Sequence, residues 1–390
     1  MIDFTLSERD LAILENARKQ ALICRKYARY YDEHEEEFAP DVLPEAEAWH
    51  DAPLPPANPE KDSGAPLGML IAMTQNWGDY TVRMRRSRGG LGNAALSASG
   101  TPDQVRKWNG MTLAMAITEP GCGSDSKAIE TTAVLDKATD EWVINGTKIF
   151  VTTGVRAEGV VIWATLDKSA GRGAIKSFLV EKERPGFICV KKEKKLGIRA
   201  DDTAEYRFEN CRIPRDHLLG GKEEIARAGG GGFKGVMKTF NMTRPAVAAI
   251  GLGIAQAAFD FTREALAKEG LEIDYAAPAH LRPAPVQKLI EIEADIEAAV
   301  LDVLHAVWLS STGATNNTEA SIAKAKGGEI CRTATQRCLE LLGSLGASRE
   351  FLPEKWFRDA RITDIYEGTG QIQRLIIARD ILGYSAAELS

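Results

Sequence analysis

Trp142-Val143-Ile144-Asn145-Gly146-Thr147-Lys148-Ile149-Phe150-Val151 places β-branched and aromatic residues on both sides of Asn145-Gly146. Such residues suit a pleated, half-buried strand, and Asn-Gly suits a turn that needs positive φ. The spacing therefore predicts two strands joined by a tight hairpin. Runs of the same kind, at 131–135, 160–166, 177–181, 187–191 and 205–208, are separated by turn residues. Many short strands with short connections predict a compact β-barrel or sandwich over residues 111–225.

Outward from this zone the apolar period changes to that of a helix. On the N-terminal side, Ser7 and Asp10 form a capping pair ahead of Leu11, Leu14, Ala17, Ala21 and Leu22, which recur near helical spacing. The tract 51–66 carries Pro53, Pro55, Pro56, Pro59 and Pro66 and predicts loop or extended chain before helix resumes over 67–84. On the C-terminal side, helix is predicted from 233 onward. There Val286, Leu289, Ile290, Ile296, Val300, Val303, Leu304 and Val307 make an apolar stripe, and the runs 319–342 and 370–382 stop at Gly343 and Gly383. The expected architecture is an α+β multidomain chain: an N-terminal α-helical domain at 1–110, a middle β domain at 111–225 and a C-terminal α-helical bundle at 226–390.

At 390 residues the chain has room for two to three domains, and 44% hydrophobic with 27% charged residues are ordinary values for a globular protein. A net charge of −6 argues against a general polyanion binder, which needs a basic face. Cysteines 24, 122, 189, 211, 331 and 338 form no C-x-x-C pair, and the five histidines supply no zinc frame, so neither a metal site nor a disulfide scaffold is expected. The first ten residues lack a basic stretch followed by an apolar one. The most apolar run, 246–261, reads as too short for a membrane span and contains Gln256 and Asp260. A soluble, cytoplasmic protein is expected.

Two segments carry candidate chemistry. Thr118-Glu119-Pro120-Gly121-Cys122-Gly123-Ser124-Asp125 follows an apolar run; its glycines admit close backbone approach, and its hydroxyls can meet carbonyl or phosphate oxygens. The plain alternative is a Gly-Ser turn. In Asp364-Ile365-Tyr366-Glu367-Gly368-Thr369-Gly370-Gln371 a glutamate stands just before a helix, where burial raises its pKa toward that of a general base while the helix start favours the anion. Its plain alternative is a solvated glutamate. Gly90-Leu91-Gly92-Asn93-Ala94-Ala95 matches a dinucleotide fingerprint in letters, but it follows Arg83, Arg85, Arg86 and Arg88 rather than a strand and fails that context. Cys122 reads as a small packed residue, and Arg244 before Pro245 as a grip on an anionic or carbonyl ligand or as a helix cap.

In this order, the chain resembles the acyl-CoA dehydrogenases. The resemblance rests on Ala116-Ile117 leading into the 118–125 loop, Ile144 through Thr152, Leu196-Gly197-Ile198-Arg199 leading to Phe208 and Arg212-Ile213-Pro214, Thr243-Arg244-Pro245, and Phe357-Arg358-Asp359-Ala360 leading through Ile365-Tyr366-Glu367-Gly368-Thr369 to Gln373-Arg374. It implies an FAD-dependent α,β-dehydrogenation of an acyl-CoA thioester to the trans-2-enoyl-CoA. Glu367 removes the α-proton, hydride passes to flavin N5, and the carbonyl oxygen is met by the glutamate N–H and a ribityl hydroxyl. By the same resemblance, the flavin is contacted by Ile117, Thr118, Gly123, Ser124, Phe150 (where the family usually has Trp), Thr152, Gln287, Glu340 (where Gln is common), Gly343, Thr369 and Gln371. Ser124, Asn241, Arg244 and Gly368 line the substrate. Some relatives carry the base just before the arginine of the 243–244 pair; here that residue is Thr243, leaving Glu367 without a rival. Residues 267–275 lack the Arg and Phe-Gly pair that hold FAD from a neighbouring subunit. The implied assembly is thus a homodimer or homotetramer, or a heteromer completed by a related chain. The implied redox partner is an electron-transfer flavoprotein. The alternatives are an oxidase-like flavoenzyme and a non-catalytic subunit.

Overall fold

The structure is a computed structural model that describes residues 5–40, 43, 45, 54–58, 62–86, 90–225, 231–384 and 388, apart from the side chains of 85, 86, 127 and 231–242. Much of the proline-rich tract, Arg88 and the side chains of Arg85, Arg86 and Asn241 therefore lie outside the description. In chain order the elements are helices α1 (Glu8–Glu33), α2 (Ala65–Gly78), α3 (Tyr80–Arg86), α4 (Leu91–Ser99) and α5 (Pro102–Lys107), then strands β1 (Leu113–Ala116), β2 (Thr132–Asp136), β3 (Glu141–Val151), β4 (Gly159–Thr165), β5 (Ile175–Glu181), β6 (Phe187–Lys192) and β7 (Ala204–Pro214). Helices α6 (Gly231–Lys268), α7 (Ala284–Ser311), α8 (Asn317–Leu342), α9 (Pro353–Ala360) and α10 (Gly370–Leu382) follow. N-terminal helices, a curled middle sheet and a C-terminal helical bundle are thus present in the expected order.

Two compact units form: residues 1–86, 195–200 and 241–390 in one, and 87–194 with 201–240 in the other. In the helical unit, Ala21, Trp77 and Tyr80 from the N-terminal helices share one core with Ile254, Phe259, Leu289, Ile296, Cys338 and Trp356. The Ser7 and Asp10 capping box starts α1 as its sequence requires. Between α2 and α3 the chain breaks at Asp79, whose Oδ1 caps the Val82 N–H at 2.8 Å while its Oδ2 meets the fully buried Lys355 ammonium at 2.6 Å. Asp359 holds the same ammonium at 2.5 Å and accepts the Ile198 N–H, also at 2.5 Å, so the 195–200 segment joins this unit. The 243–268 part of α6 is long and apolar enough to cross a membrane by length and composition, longer than its most apolar run suggested. Yet 72% of its apolar window is buried inside the protein, as in a core helix of a bundle.

The second unit is a seven-stranded sheet in the order β1-β4-β2-β3-β7-β6, with β5 on the other edge of β4. β4, paired on both edges, is buried along its whole length because both of its faces are covered: Val160, Ile162 and Ala164 share one core with Ile144 and Phe178, while Val161 and Trp163 share another with Leu96 and Trp108. That is why Val160-Val161-Ile162-Trp163-Ala164 is a continuous apolar run rather than an alternating one. Helices α4 and α5 belong to this unit. A Cβ on Gly90 or Gly92 would overlap the carbonyl oxygens of Leu113 or Ala114, so these glycines exist to seat α4 on β1.

The Asn145-Gly146 hairpin is not formed. Glu141–Val151 is one strand, and the chain reverses instead before it, where Asp140 takes φ +57°. Gly146 sits at φ +150° beside a register shift against β7, and a Cβ there would overlap Thr131. The glycine answers a close approach inside the sheet rather than a turn, and Asn145 Oδ1 accepts the Asn210 N–H at 2.8 Å across the same irregularity.

Candidate active site

Within the helical unit, α6 supplies Thr243 and Arg244, α8 supplies Lys324, and a 3-10 turn at Arg361–Asp364 leads the chain into Glu367 just ahead of α10. Glu367 has φ +57° and Gly368 has φ +93°, two consecutive residues in the left-handed region. A residue with a Cβ is disfavoured there, and such conformations persist only where neighbours enforce them. Gln373 Nε2 donates to the carbonyls of both residues at 3.3 Å, Lys324 Nζ donates to Gly368 O at 3.1 Å, and the Thr369 hydroxyl accepts the Ile372 N–H to cap α10. A Cβ on Gly368 would overlap Gln373 Nε2, so glycine is required after the glutamate.

The Thr243 hydroxyl donates to Glu367 Oε2 at 2.8 Å, which aims one carboxylate oxygen. Glu367 as a whole is half-buried, but protein packs densely around its carboxyl group. That desolvation is the largest influence on it and raises its pKa above the ordinary glutamate value, against the Thr243 hydrogen bond and the charges of Lys324 and Arg244. Arg244 is 3% exposed, and its Nη1 reaches Asn317 Oδ1 and Ser321 Oγ at 3.4 Å. Burial lowers its pKa and pushes that of the fully buried Lys324 down to about 8. A carboxylate of raised proton affinity, oriented by one hydroxyl and flanked by two buried cations, is equipped to act as a general base.

In the sheet unit, the loop after β1 is held from beneath. Glu119, nearly buried, accepts the N–H of Glu130 at 2.6 Å, the N–H of Thr131 at 3.1 Å and the fully buried Lys148 ammonium at 2.7 Å. Lys148 also donates to Ile117 O at 3.1 Å. Burial pulls the Lys148 pKa down, while against its own burial Glu119 is held below the ordinary glutamate value by the ammonium and the two N–H donors, the geometry of an ion pair. Ile149 N–H donates to Thr118 O at 2.9 Å, setting Thr118 beside the β3 end that carries Phe150 and Thr152. Phe150 takes φ +57° and is 61% exposed, an arrangement a folded core does not need. A Cβ on Gly121 would meet nothing within 4 Å, and one on Gly123 only the Thr118 methyl at 4.0 Å. An exposed ring, adjacent hydroxyls and an uncovered glycine backbone fit a planar cofactor bearing phosphates.

Ile117, Thr118, Gly123, Ser124, Phe150 and Thr152 thus gather on one loop and strand end, while Glu367, Gly368, Thr369, Gln371 and Arg244 gather around the start of α10. Gln287, Glu340 and Gly343 stand elsewhere. Glu340 lies sixteen residues beyond Lys324 on α8, about 24 Å along the axis at 1.5 Å per residue. There Gln336 donates to Glu340 at 3.0 Å and Gln287 to Glu291 at 3.3 Å. Three contacts at the candidate site escape sequence reasoning: Thr243 with Glu367, Lys324 below Gly368, and Lys148 with Glu119. Only Lys148 and Lys324 leave a signal, as lysines set in otherwise apolar or small-residue faces.

The acyl-CoA dehydrogenase middle-domain family profile matches residues 114–211, and the acyl-CoA dehydrogenase C-terminal-domain profile matches 230–382. The chain belongs to the acyl-CoA dehydrogenase family, flavoprotein oxidoreductases that act on acyl-CoA. It is 38% identical over 296 residues to the mitochondrial short-chain specific acyl-CoA dehydrogenase of Rattus norvegicus, covering 73% of this chain and 67% of that protein. It is 36% identical over 276 residues to the acryloyl-CoA reductase (NADH) of Anaerotignum propionicum, covering 69% of this chain and 66% of that protein. The butyryl-CoA dehydrogenase structure from Megasphaera elsdenii superposes with a TM-score of 0.80 at 27% identity, covering 98% of this chain and all of that one.

Proposed function

We propose that the chain binds FAD and converts a short acyl-CoA thioester to its trans-2-enoyl-CoA, with Glu367 as the base. The observation that carries this reading is the Glu367 carboxylate, aimed by Thr243 and raised in proton affinity by its packing. Glu367 takes the proton from the carbon next to the thioester carbonyl. The carbonyl oxygen gains charge as that proton leaves, and in this reading the Glu367 N–H donates to it. Arg244 lines the thioester, and Ser124 holds a phosphate of flavin or CoA. Thr118, Thr152 and Phe150 hold the ring system, with Ile117 and Gly123 beside it. A bound flavin supplies the hydride acceptor for the β-carbon. The similarity to short-chain and butyryl-CoA enzymes supports a short acyl group.

Electrons then leave to an electron-transfer flavoprotein. Glu340 and Gly343 at the far end of α8, with Gln287 on α7, serve a flavin held mainly by another subunit of a dimer or tetramer. The test is anaerobic titration of the FAD-loaded protein with straight-chain acyl-CoA thioesters of increasing length, followed by flavin absorbance. Bleaching that is fastest with the short members supports the proposal; no bleaching with any member refutes it.

A further inference from the structure

Lys324 stands on the buried face of α8 among Ala320, Ser321, Ala323, Ala325 and Gly327, small residues that let neighbouring elements approach closely. Such a face has no packing need for an ammonium, and burying one is costly unless its hydrogen bonds are met. Its hydrogen bonds go to two backbone carbonyls rather than to a carboxylate: Thr363 O at 2.7 Å and Gly368 O at 3.1 Å. These carbonyls bracket Glu367, one four residues before it and one directly after. Between them the chain passes through the left-handed Glu367 and Gly368.

We propose that Lys324 is a positioning residue for the base: by tying the carbonyls of Thr363 and Gly368 together, it locks the left-handed turn that aims the Glu367 carboxylate. The inference rests on the reading of Glu367 as the α-proton base. Gln373 holds the same turn from α10 through the Glu367 and Gly368 carbonyls, but at 3.3 Å and without charge. The ammonium has a second, separable effect. Asp364 on the 3-10 turn and Glu367 attract it, Arg244 from α6 opposes it, and Arg374 from α10 is engaged with Glu329 at 2.8 Å. Its positive charge favours the ionised form of Glu367. Two hydrogen bonds set the geometry of the base, and one charge keeps it available.

Lys324→Gln keeps N–H donors and discards the charge; Lys324→Met discards both. In the full-length FAD-loaded protein, Lys324→Met is expected to lower kcat about 10- to 100-fold while changing KM for the acyl-CoA less than about threefold. It should also speed amide exchange over residues 364–369. Lys324→Gln should recover most of kcat, and both variants should move the acid limb of the kcat/KM profile to higher pH. A folded Lys324→Met protein with wild-type kcat, exchange and acid limb overturns the proposal. Loss of kcat and melting temperature in both variants with an unmoved acid limb overturns it equally, since Lys324 is then only a structural plug. Should Lys324→Met fail to fold, Lys324→Ala, which removes the same two hydrogen bonds without adding bulk, is read in its place by kcat and by exchange over residues 364–369. A Glu367→Gln control run alongside separates the two claims: full activity there removes the base reading, whereas amide exchange still reports the Lys324 clamp.

Discussion

Lys148→Met removes the buried cation beneath the 118–125 loop and leaves Glu119 behind. The two side chains are 0% and 4% exposed, so solvent cannot take over the stranded charge. Removing one partner of a buried ion pair costs about 3–5 kcal/mol. Glu119 keeps the N–H donors of Glu130 and Thr131, which places the expected loss at the low end, about 3 kcal/mol. For a unit of this size each kcal/mol moves the midpoint by roughly 2–4 °C, so the sheet unit should melt about 6–12 °C earlier. Thermal unfolding followed by tryptophan fluorescence, to which Trp108, Trp142 and Trp163 of the sheet unit contribute, reads this. Glu119→Gln added to Lys148→Met removes the stranded charge and should recover about 2 kcal/mol of the loss. The folded-state pKa of Glu119 lies below its ordinary value of 4.5, so its contribution is present above that pH and disappears as pH falls through the folded value. The double variant should therefore show a shallower acid transition. A single variant within about 0.5 kcal/mol of wild type, or a double variant no better than the single, refutes the charged-pair reasoning.

His217 is 1% exposed, with Nδ1 3.0 Å from Leu179 O and its ring edge-on to Trp108, and burial lowers its pKa below 6.5. Its stabilisation is complete above about pH 6.5 and declines as pH falls through the lower folded value; His217→Gln should flatten that slope in urea unfolding at stepped pH, and an unchanged slope counts against it. Gly92→Ala raises helix propensity by about 1 kcal/mol but drives a Cβ into Ala114 O, so a net loss of about 1–3 kcal/mol is expected by denaturant titration, and a gain contradicts the seating of α4 on β1. Phe150→Ala should leave stability nearly unchanged and weaken FAD binding about tenfold by fluorescence titration, since its exposed ring has no core to lose; unaltered affinity removes it from the cofactor site.

Local signals carried the element boundaries. Ser7 and Asp10 start α1, Gly343 caps the end of α8 at φ +56°, and Gly383 caps α10 at φ +69°. Each is decided within a few residues, where capping chemistry acts. Asn145-Gly146 misled because the same dipeptide satisfies a turn or a crowded bulge, and the crowding comes from Thr131, which only the folded sheet brings near. Asp79 was hidden in the same way: its break between α2 and α3 is fixed by Lys355, far along the chain. The site repeats the pattern. Glu367 and the 118–125 loop have local signatures, whereas Thr243 reaches Glu367 across 124 positions and Lys148 reaches Glu119 across 29. No spacing rule links such pairs, because their meeting is a property of packing.

Proton removal by Glu367 can be isolated from redox chemistry with an acyl-CoA so branched that its β-carbon bears no hydrogen. In D2O, mass spectrometry of the recovered thioester then counts deuterium gained at the α-carbon. The wild-type protein should exchange that position, and Glu367→Gln should do so at least about 100-fold more slowly with the thioester still bound. Equal exchange rates in the two proteins contradict the account.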